Sequence, residues 1–192
     1  SQFSVFSSRC MTAPGLETRP MPGGGWLLAG AALCGGRAYA LLADFFAQTA
    51  RMMGMDTNAP YAAMEGLLKS ADRPEDVPTV LPLFEGTRQD STQTGSITGL
   101  TAENFTPLHL IYGMMDGMAH ELHQMYQAYR AAGGTAKKLI GSGGGLRNNR
   151  FLCEGFSRVF DSAITLSDGR EEAACGEVGG PSGLRKTTFL LN

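Results

Sequence analysis

Apolar positions change period several times along the chain, and each change marks an element. Phe3 and Val5 alternate with polar neighbours, and residues 26–31 form a short apolar run, so both read as strands. The stretch separating them, with Pro14-Gly15 and then residues 20–25, reads as turns. From Gly36 to about Met53 the spacing becomes helical. Leu41, Leu42, Phe45, Phe46, Thr49 and Met53 recur every three or four positions and predict the buried face. A shorter helix is predicted over 60–69, with Pro60 in its first turn and Asn58 as its cap. Residues 73–78 read as a polar linker, 79–84 as a short strand and 86–93 as a polar loop, and Ile97 sits in an extended piece ending at Gly99.

The longest helical pattern runs over 107–132. Thr106 can cap it, Pro107 suits its first position, and Gly133-Gly134 stop it. Ile111, Met114, Met115, Met118, Leu122, Met125, Tyr126 and Tyr129 form its apolar face, so the methionines read as core. A strand over 138–140, a glycine loop over 141–145, a helix over 148–160 and a strand over 163–166 follow. A last helix opens at 171–175. Strands alternating with helices give an α/β fold, a mixed sheet flanked by helices.

Composition narrows the setting. The chain has 192 residues, 43% hydrophobic and 18% charged, which suits one domain with a real core and leaves little room for a second. A net charge of −2 argues against a nucleic-acid partner, which needs a basic face. The longest apolar run, residues 26–34, is far short of a bilayer span, so no membrane role is expected. Residues 1–8 lack a signal-peptide pattern. Cys10, Cys34, Cys153 and Cys175 are widely spaced, which fits reduced thiols in a cytoplasmic protein. Pro181 costs about 3 kcal/mol inside a helix, so the final helix is expected to stop near Val178. That divides the chain into a domain over 1–178 and an atypical tail over 179–192, whose last residues are either a native extension or a remnant of cloning or frameshift.

The 26 glycines cluster, and one cluster carries chemistry. Leu139-Ile140-Gly141-Ser142-Gly143-Gly144-Gly145-Leu146-Arg147-Asn148 takes a buried strand into a helix through a segment with almost no side chains. Backbone N–H groups there can approach a ligand closely. The segment lacks the Gly-Lys-Ser/Thr ending of a Walker loop, and it completes only part of a dinucleotide fingerprint. On glycine content alone, a ligand loop and a plain strand-to-helix turn both stay open. His120 and His123 stand three apart but have no third ligand at metal spacing, so a solvated pair is expected, and His109 reads as a first-turn surface residue. Arg88 suits either a phosphate or a salt bridge within its own loop, and Trp26 reads as core.

Several segments, in order, resemble one family. Gly95-Ser96-Ile97-Thr98-Gly99-Leu100, then eight residues, then His109-Leu110-Ile111-Tyr112-Gly113-Met114-Met115-Asp116 resembles the C-terminal signature of the FGGY carbohydrate kinases, with Gly113 where the family carries Ala or Ser. Ser1-Gln2 resembles the end of a Gly-Thr-Ser phosphate loop whose first two residues would precede this chain. Residues 30–36 resemble the strand-to-helix turn that follows. Leu81-Pro82-Leu83-Phe84-Glu85-Gly86-Thr87-Arg88 resembles a Leu-Pro-x-x-x-Gly-Glu-Arg loop, with Thr87 in place of Glu. Residues 143–148 resemble the adenosine loop, and Glu171-Glu172-Ala173-Ala174-Cys175-Gly176 the closing helix. Within the family the pattern is most similar to sedoheptulokinases, then to xylulokinase-like members.

The resemblance implies an actin-like ATPase (ribonuclease H-like) fold whose two domains close over ATP and a sugar. It implies transfer of the γ-phosphoryl group of Mg-ATP to a sugar hydroxyl, with ATP and Mg2+ as cofactors. The sugar would be bound through a domain outside this chain, and a homodimer is compatible with the reading. Carried over, Gly144 packs against adenosine, Asn148 bonds the adenine edge or ribose, and Gly143 and Gly145 leave room for them. Gly36 lies on the phosphate or ribose side, and Ser1 lies by the β- and γ-phosphates. No catalytic residue falls in this chain, and Asp44, Asp90 and Asp116 are not candidates for one. The isolated chain is therefore expected to be inactive and to bind nucleotide weakly. The competing readings are a non-catalytic actin-like nucleotide module and a truncated product without a function of its own.

Overall fold

The computed structural model describes residues 1–55, 58–136, 138–167 and 187–190. They fall into two compact units, one of residues 1–33 with 119 onward and the other of residues 34–118.

The first unit is built on a six-stranded mixed sheet. Its strands are β1 (Gln2–Ser7), β2 (Glu17–Pro20), β3 (Trp26–Ala31), β6 (Leu139–Ser142), β7 (Ile164–Leu166) and β8 (Thr187–Leu190), in the order β2-β3-β1-β8-β6-β7. β1 and β3 are antiparallel, with Gln2 opposite Ala31 and Ser7 opposite Trp26. β6 and β7 are parallel, and β8 lies between β1 and β6. Alternation in β1 buries Phe3 and Val5 on one face. Phe3 meets Tyr126 and Tyr129 there, both ring pairs at 6.3 Å. Met125 presses so close to Gly30 that an added Cβ would come within 2.7 Å of its sulfur. Helix α5 (Arg150–Val159) adds Leu152 and Phe156 to its core.

The second unit contains α1 (Gly35–Met52), α2 (Pro60–Ser70) and the hairpin of β4 (Thr79–Leu81) with β5 (Ser96–Thr98). Helix α3 (Pro107–Ala131) gives its first half, through Met118, to this unit and its second half to the sheet unit. Its core position at Gly117 is set by close approach. A Cβ there would sit under 3.0 Å from the Val80 carbonyl oxygen, with the Val80 carbonyl carbon at 3.1 Å and Pro82 Cδ at 3.3 Å. Arg73 pairs with Asp116 and lies over the Tyr112 ring at 4.8 Å, which fixes the start of the hairpin segment to α3.

Several expectations change. In α1 the buried residues are Gly35, Ala38, Leu42, Ala43 and Ala47, whereas Leu41, Phe45 and Met53 are exposed. Apart from Leu42 the buried stripe is built from small residues, and Leu41 and Phe45 point outward. α2 starts from Ala59 with no side-chain cap, so Asn58 does not cap it. β4 stops at Leu81, because Pro82 has no N–H to donate to the ladder. His109 is not a free surface residue: its ring nitrogens lie 2.7 Å from Thr106 Oγ1 and 3.1 Å from Asp76 Oδ1. Trp26 is half-buried rather than core. β2 arises inside the stretch read as turns. The helix expected over 171–175 and its stop near Val178 lie outside the described residues.

Candidate functional site

The glycine segment is shorter as a loop than its composition suggests. β6 continues through Gly141 and Ser142, both buried, and only Gly143 is loop. Gly141 is needed where it stands, since a Cβ would come within 2.7 Å of Leu146 Cδ1 and 2.8 Å of Ile164 Cγ2. Gly143 adopts φ 98 and ψ 161, a backbone region open essentially to glycine alone. That single residue turns the chain into α4 (Gly144–Asn148), closed by Arg147 N–H donating to the Gly143 carbonyl at 3.2 Å.

The turn is pinned from beneath. Leu146 is buried, its carbonyl accepts from Cys153 Sγ at 3.0 Å, and Arg147 Nη2 donates to the Ser167 carbonyl at 3.2 Å. Asn149 separates α4 from α5, so the helix expected over 148–160 starts at Arg150: the extended backbone of Asn149 ends α4, and its Oδ1 accepts from Leu152 N at 3.1 Å to cap α5. Above this anchor, Gly144, Gly145 and Asn148 are exposed. Gly144 and Asn148 lie one helical turn apart, and outside the helix's own backbone a Cβ at Gly144 would meet, among the described residues, Asn148 Nδ2 at 3.8 Å. The result is exposed backbone without side chains beside one amide, a combination that can pack a ring and hydrogen-bond its edge.

Ser1 lies at the same end of the sheet. Gln2 is opposite Leu190, and Leu190 is opposite Ser142, so Ser1 and Gly143 stand two strand spacings apart, about 10 Å. Ser1 is fixed to β3 by its amino group donating to the Ala32 carbonyl at 3.0 Å and by Ala32 N–H donating back at 2.9 Å. The structure therefore brings Ser1, Gly143, Gly144, Gly145 and Asn148 to one sheet end. Gly36 sits in the first turn of α1, in the other unit.

One group at this end was not singled out from the sequence. Glu121 on α3 has a buried Oε2 without a hydrogen-bond partner among the described residues, and burial pushes its carboxyl up to about 7, against the opposing pull of the Ser1 amino group. An acidic residue among polar helix neighbours carries no local sign of burial. At the opposite end of β1 a cavity of about 880 Å³ opens among Ser7, Arg9, Gly24, Gly25, Tyr129 and Gly134. Of the aspartates, Asp116 is ion-paired to Arg73, and Asp90 accepts from Thr92 N–H and Oγ1, which holds its carboxyl below the usual range. His123 packs edge-on against Phe160 at 4.8 Å.

The sheet unit is mixed α/β, with an exposed glycine turn after a buried strand. The sequence matches the FGGY family of carbohydrate kinases, C-terminal domain, over residues 7–179, and the chain belongs to that family. No curated protein matches it. Among solved structures it is similar to the xylulose kinase of Rhodospirillum rubrum, at TM-score 0.75 and 22% identity, covering 92% of this chain and 34% of that one. The xylulose kinase of Bifidobacterium adolescentis gives 0.73 and 17%, covering 92% and 33%. Plasmodium falciparum glycerol kinase, solved with ADP, gives 0.70 and 16%, covering 98% and 41%. At these identities the likeness is one of fold. The chain spans about a third of the length of the xylulose kinases.

Proposed function

We propose that this chain is the ATP-binding part of a sugar kinase that transfers the γ-phosphoryl group of ATP to a ketose hydroxyl. The observation that carries the reading is the exposed face of Gly144 with Asn148 one turn on, held on buried Leu146, in a chain of the FGGY C-terminal family. Adenosine lies on Gly144, with Gly143 and Gly145 leaving it space and the Asn148 amide bonding the adenine edge or ribose. Ser1, at the same sheet end, faces the β- and γ-phosphates. Gly36 takes the phosphate or ribose side on the strength of the resemblance alone. Mg2+ would accompany the nucleotide phosphates and would supply charge neutralisation during transfer.

The acceptor hydroxyl and the base that takes its proton belong to the part of the kinase outside this chain, so the chain alone binds and does not transfer. Sequence resemblance favours sedoheptulose as the sugar, and the xylulose kinase neighbours favour a ketose of similar stereochemistry. Thermal unfolding with and without Mg-ATP, repeated on Asn148→Ala, tests the binding half of the proposal. A saturable stabilisation in the native chain, weakened by the substitution, supports it. A stabilisation that Asn148→Ala leaves untouched counts against it. The sugar is read from a panel of ketoses assayed on the longer protein.

A further inference from the structure

The cavity at the far end of β1 stands about 20 Å from the sheet end that carries Gly143, since Ser1 and Ser7 are six extended residues apart. All of its lining residues belong to the sheet unit. Arg9 is the one charged side chain among the described residues that line it. The Ser7 hydroxyl donates to the Arg9 carbonyl at 2.7 Å and accepts the Arg9 N–H at 3.2 Å, which fixes the backbone behind the guanidinium. Arg9 Nη2 donates to the Gly133 carbonyl at 3.2 Å, one use of five N–H donors. Among the described residues no carboxylate pairs with Arg9. Tyr129 is 3% exposed, and its phenolic oxygen accepts from Thr135 N at 3.0 Å and Ala136 N at 3.1 Å, which fills both acceptor positions. Its hydroxyl proton remains to be donated, and no acceptor among the described residues takes it. A buried donor in that state is costly, and what it lacks is an oxygen.

We infer that this cavity binds a small organic oxyanion, a carboxylate or a phosphate monoester, with its charged oxygens on the Arg9 guanidinium and one oxygen accepting from Tyr129. The planar fork of an arginine matches such groups with paired hydrogen bonds, and no lining carboxylate competes for it. Glycines shape the walls. A Cβ at Gly25 would collide with the Phe6 ring, and one at Gly134 with the Tyr129 ring, so both rings lie directly against backbone. The Phe6 ring and Gly25 give the body of the ligand an apolar floor. Gly23 and Gly24, at φ 85 and 98, are exposed, and a Cβ on either would meet none of the described residues within 4 Å, which leaves that side open for entry. The cavity is about 880 Å³, room for a sugar phosphate or a di- or tricarboxylate.

Trp26 is the single tryptophan of the chain, follows Gly25 and lies opposite Ser7, so its fluorescence reports on the cavity. The 192-residue chain is titrated with inorganic phosphate, glucose 6-phosphate and succinate at constant ionic strength. A saturable change with at least one of them, absent with chloride, is expected. Saturation by the two phosphates alone identifies a phosphate ligand, and saturation by succinate alone a carboxylate. Arg9→Gln should weaken binding at least about tenfold through loss of the charge-assisted pair. Arg9 is exposed, so that variant loses no core packing. Arg19→Gln removes an equal charge from β2, where Arg19 already pairs with Glu17, and should bind like the native chain. No saturable change with any of the three up to about 20 mM would overturn the inference, since even a weak specific site fills in that range. So would binding of native strength in Arg9→Gln, or an equal loss in both variants. No nucleotide enters these titrations. Failure to bind ATP would sink the proposed function and leave the oxyanion site standing, and a silent Trp26 would do the reverse.

Discussion

Replacing Gly117 by Ala sets helix propensity against packing in a way the structure can decide. In an exposed helix interior, Gly→Ala stabilises by about 1 kcal/mol. At Gly117 the new methyl would meet the Val80 carbonyl oxygen inside 3.0 Å, with the Val80 carbonyl carbon at 3.1 Å and Pro82 Cδ at 3.3 Å. Two of these are backbone atoms, and the third belongs to a proline ring that fixes its own φ, so no rotamer change relieves the contact. Overpacking of this kind costs about 1–3 kcal/mol, and a clash with backbone belongs at the upper end. Subtracting the propensity gain leaves a net loss of about 1–2 kcal/mol, a fall in Tm of roughly 2–8 °C for a chain of this size. Gly66 in α2 is the matched control, because a Cβ there meets none of the described residues outside its own helix within 4 Å. Gly66→Ala should raise Tm by roughly 2–4 °C. Differential scanning calorimetry on the three proteins reads both effects. A Gly117→Ala protein that melts at or above the native chain would refute the packing of α3 on β4.

Asn149→Ala removes the α5 cap and should cost about 0.5–2 kcal/mol in urea unfolding. Glu121 makes stability depend on pH with a defined sign. Its folded carboxyl, raised to about 7 from 4.5, binds its proton more tightly than the unfolded one. Its stabilising contribution is therefore full below the unfolded value and is lost as pH rises through the folded one. Stability should fall between about pH 5 and 8, and Glu121→Gln should flatten that fall and melt higher than the native chain at pH 8; parallel profiles for the two proteins would count against it. Asp116→Ala leaves the half-buried Arg73 without its carboxylate, so it should lower Tm. In the longer kinase it should leave kcat unchanged.

What the sequence disclosed follows the reach of each interaction. Helix α3 was legible because Ile111, Met115, Met118 and Leu122 are large, periodic and buried, and because Gly133, with φ 89, ends it by local geometry. The buried side of α1 was misread because Ala38, Ala43 and Ala47 carry little hydrophobic signal beside Phe45, which is 55% exposed. At the glycine segment the residue types were legible but their division was not. Gly141 belongs to β6 because Leu146 and Ile164 crowd it, and nothing within the segment reports those contacts. β8 was invisible for the same reason: its partners, Gln2–Val5 and Leu139–Ser142, are far away in sequence. The open face of Gly144 could be expected only through the family resemblance, since glycine content alone does not separate a ligand surface from a turn.

The central claim, that nucleotide lies on the Gly143–Asn148 turn, is tested most directly by an NMR titration of the isolated chain with Mg-ATP, alongside Gly144→Ala. Among the described residues outside its own helix backbone, a Cβ at Gly144 meets Asn148 Nδ2 at an ordinary contact distance of 3.8 Å, so the variant should fold and melt like the native chain while the open glycine face is filled. The account expects saturable amide shifts centred on Gly144, Gly145 and Asn148 in the native chain, and their loss in Gly144→Ala. Shifts of equal size in both proteins, or shifts clustered instead on Gly24, Gly25 and Gly134 at the far end of β1, would contradict it.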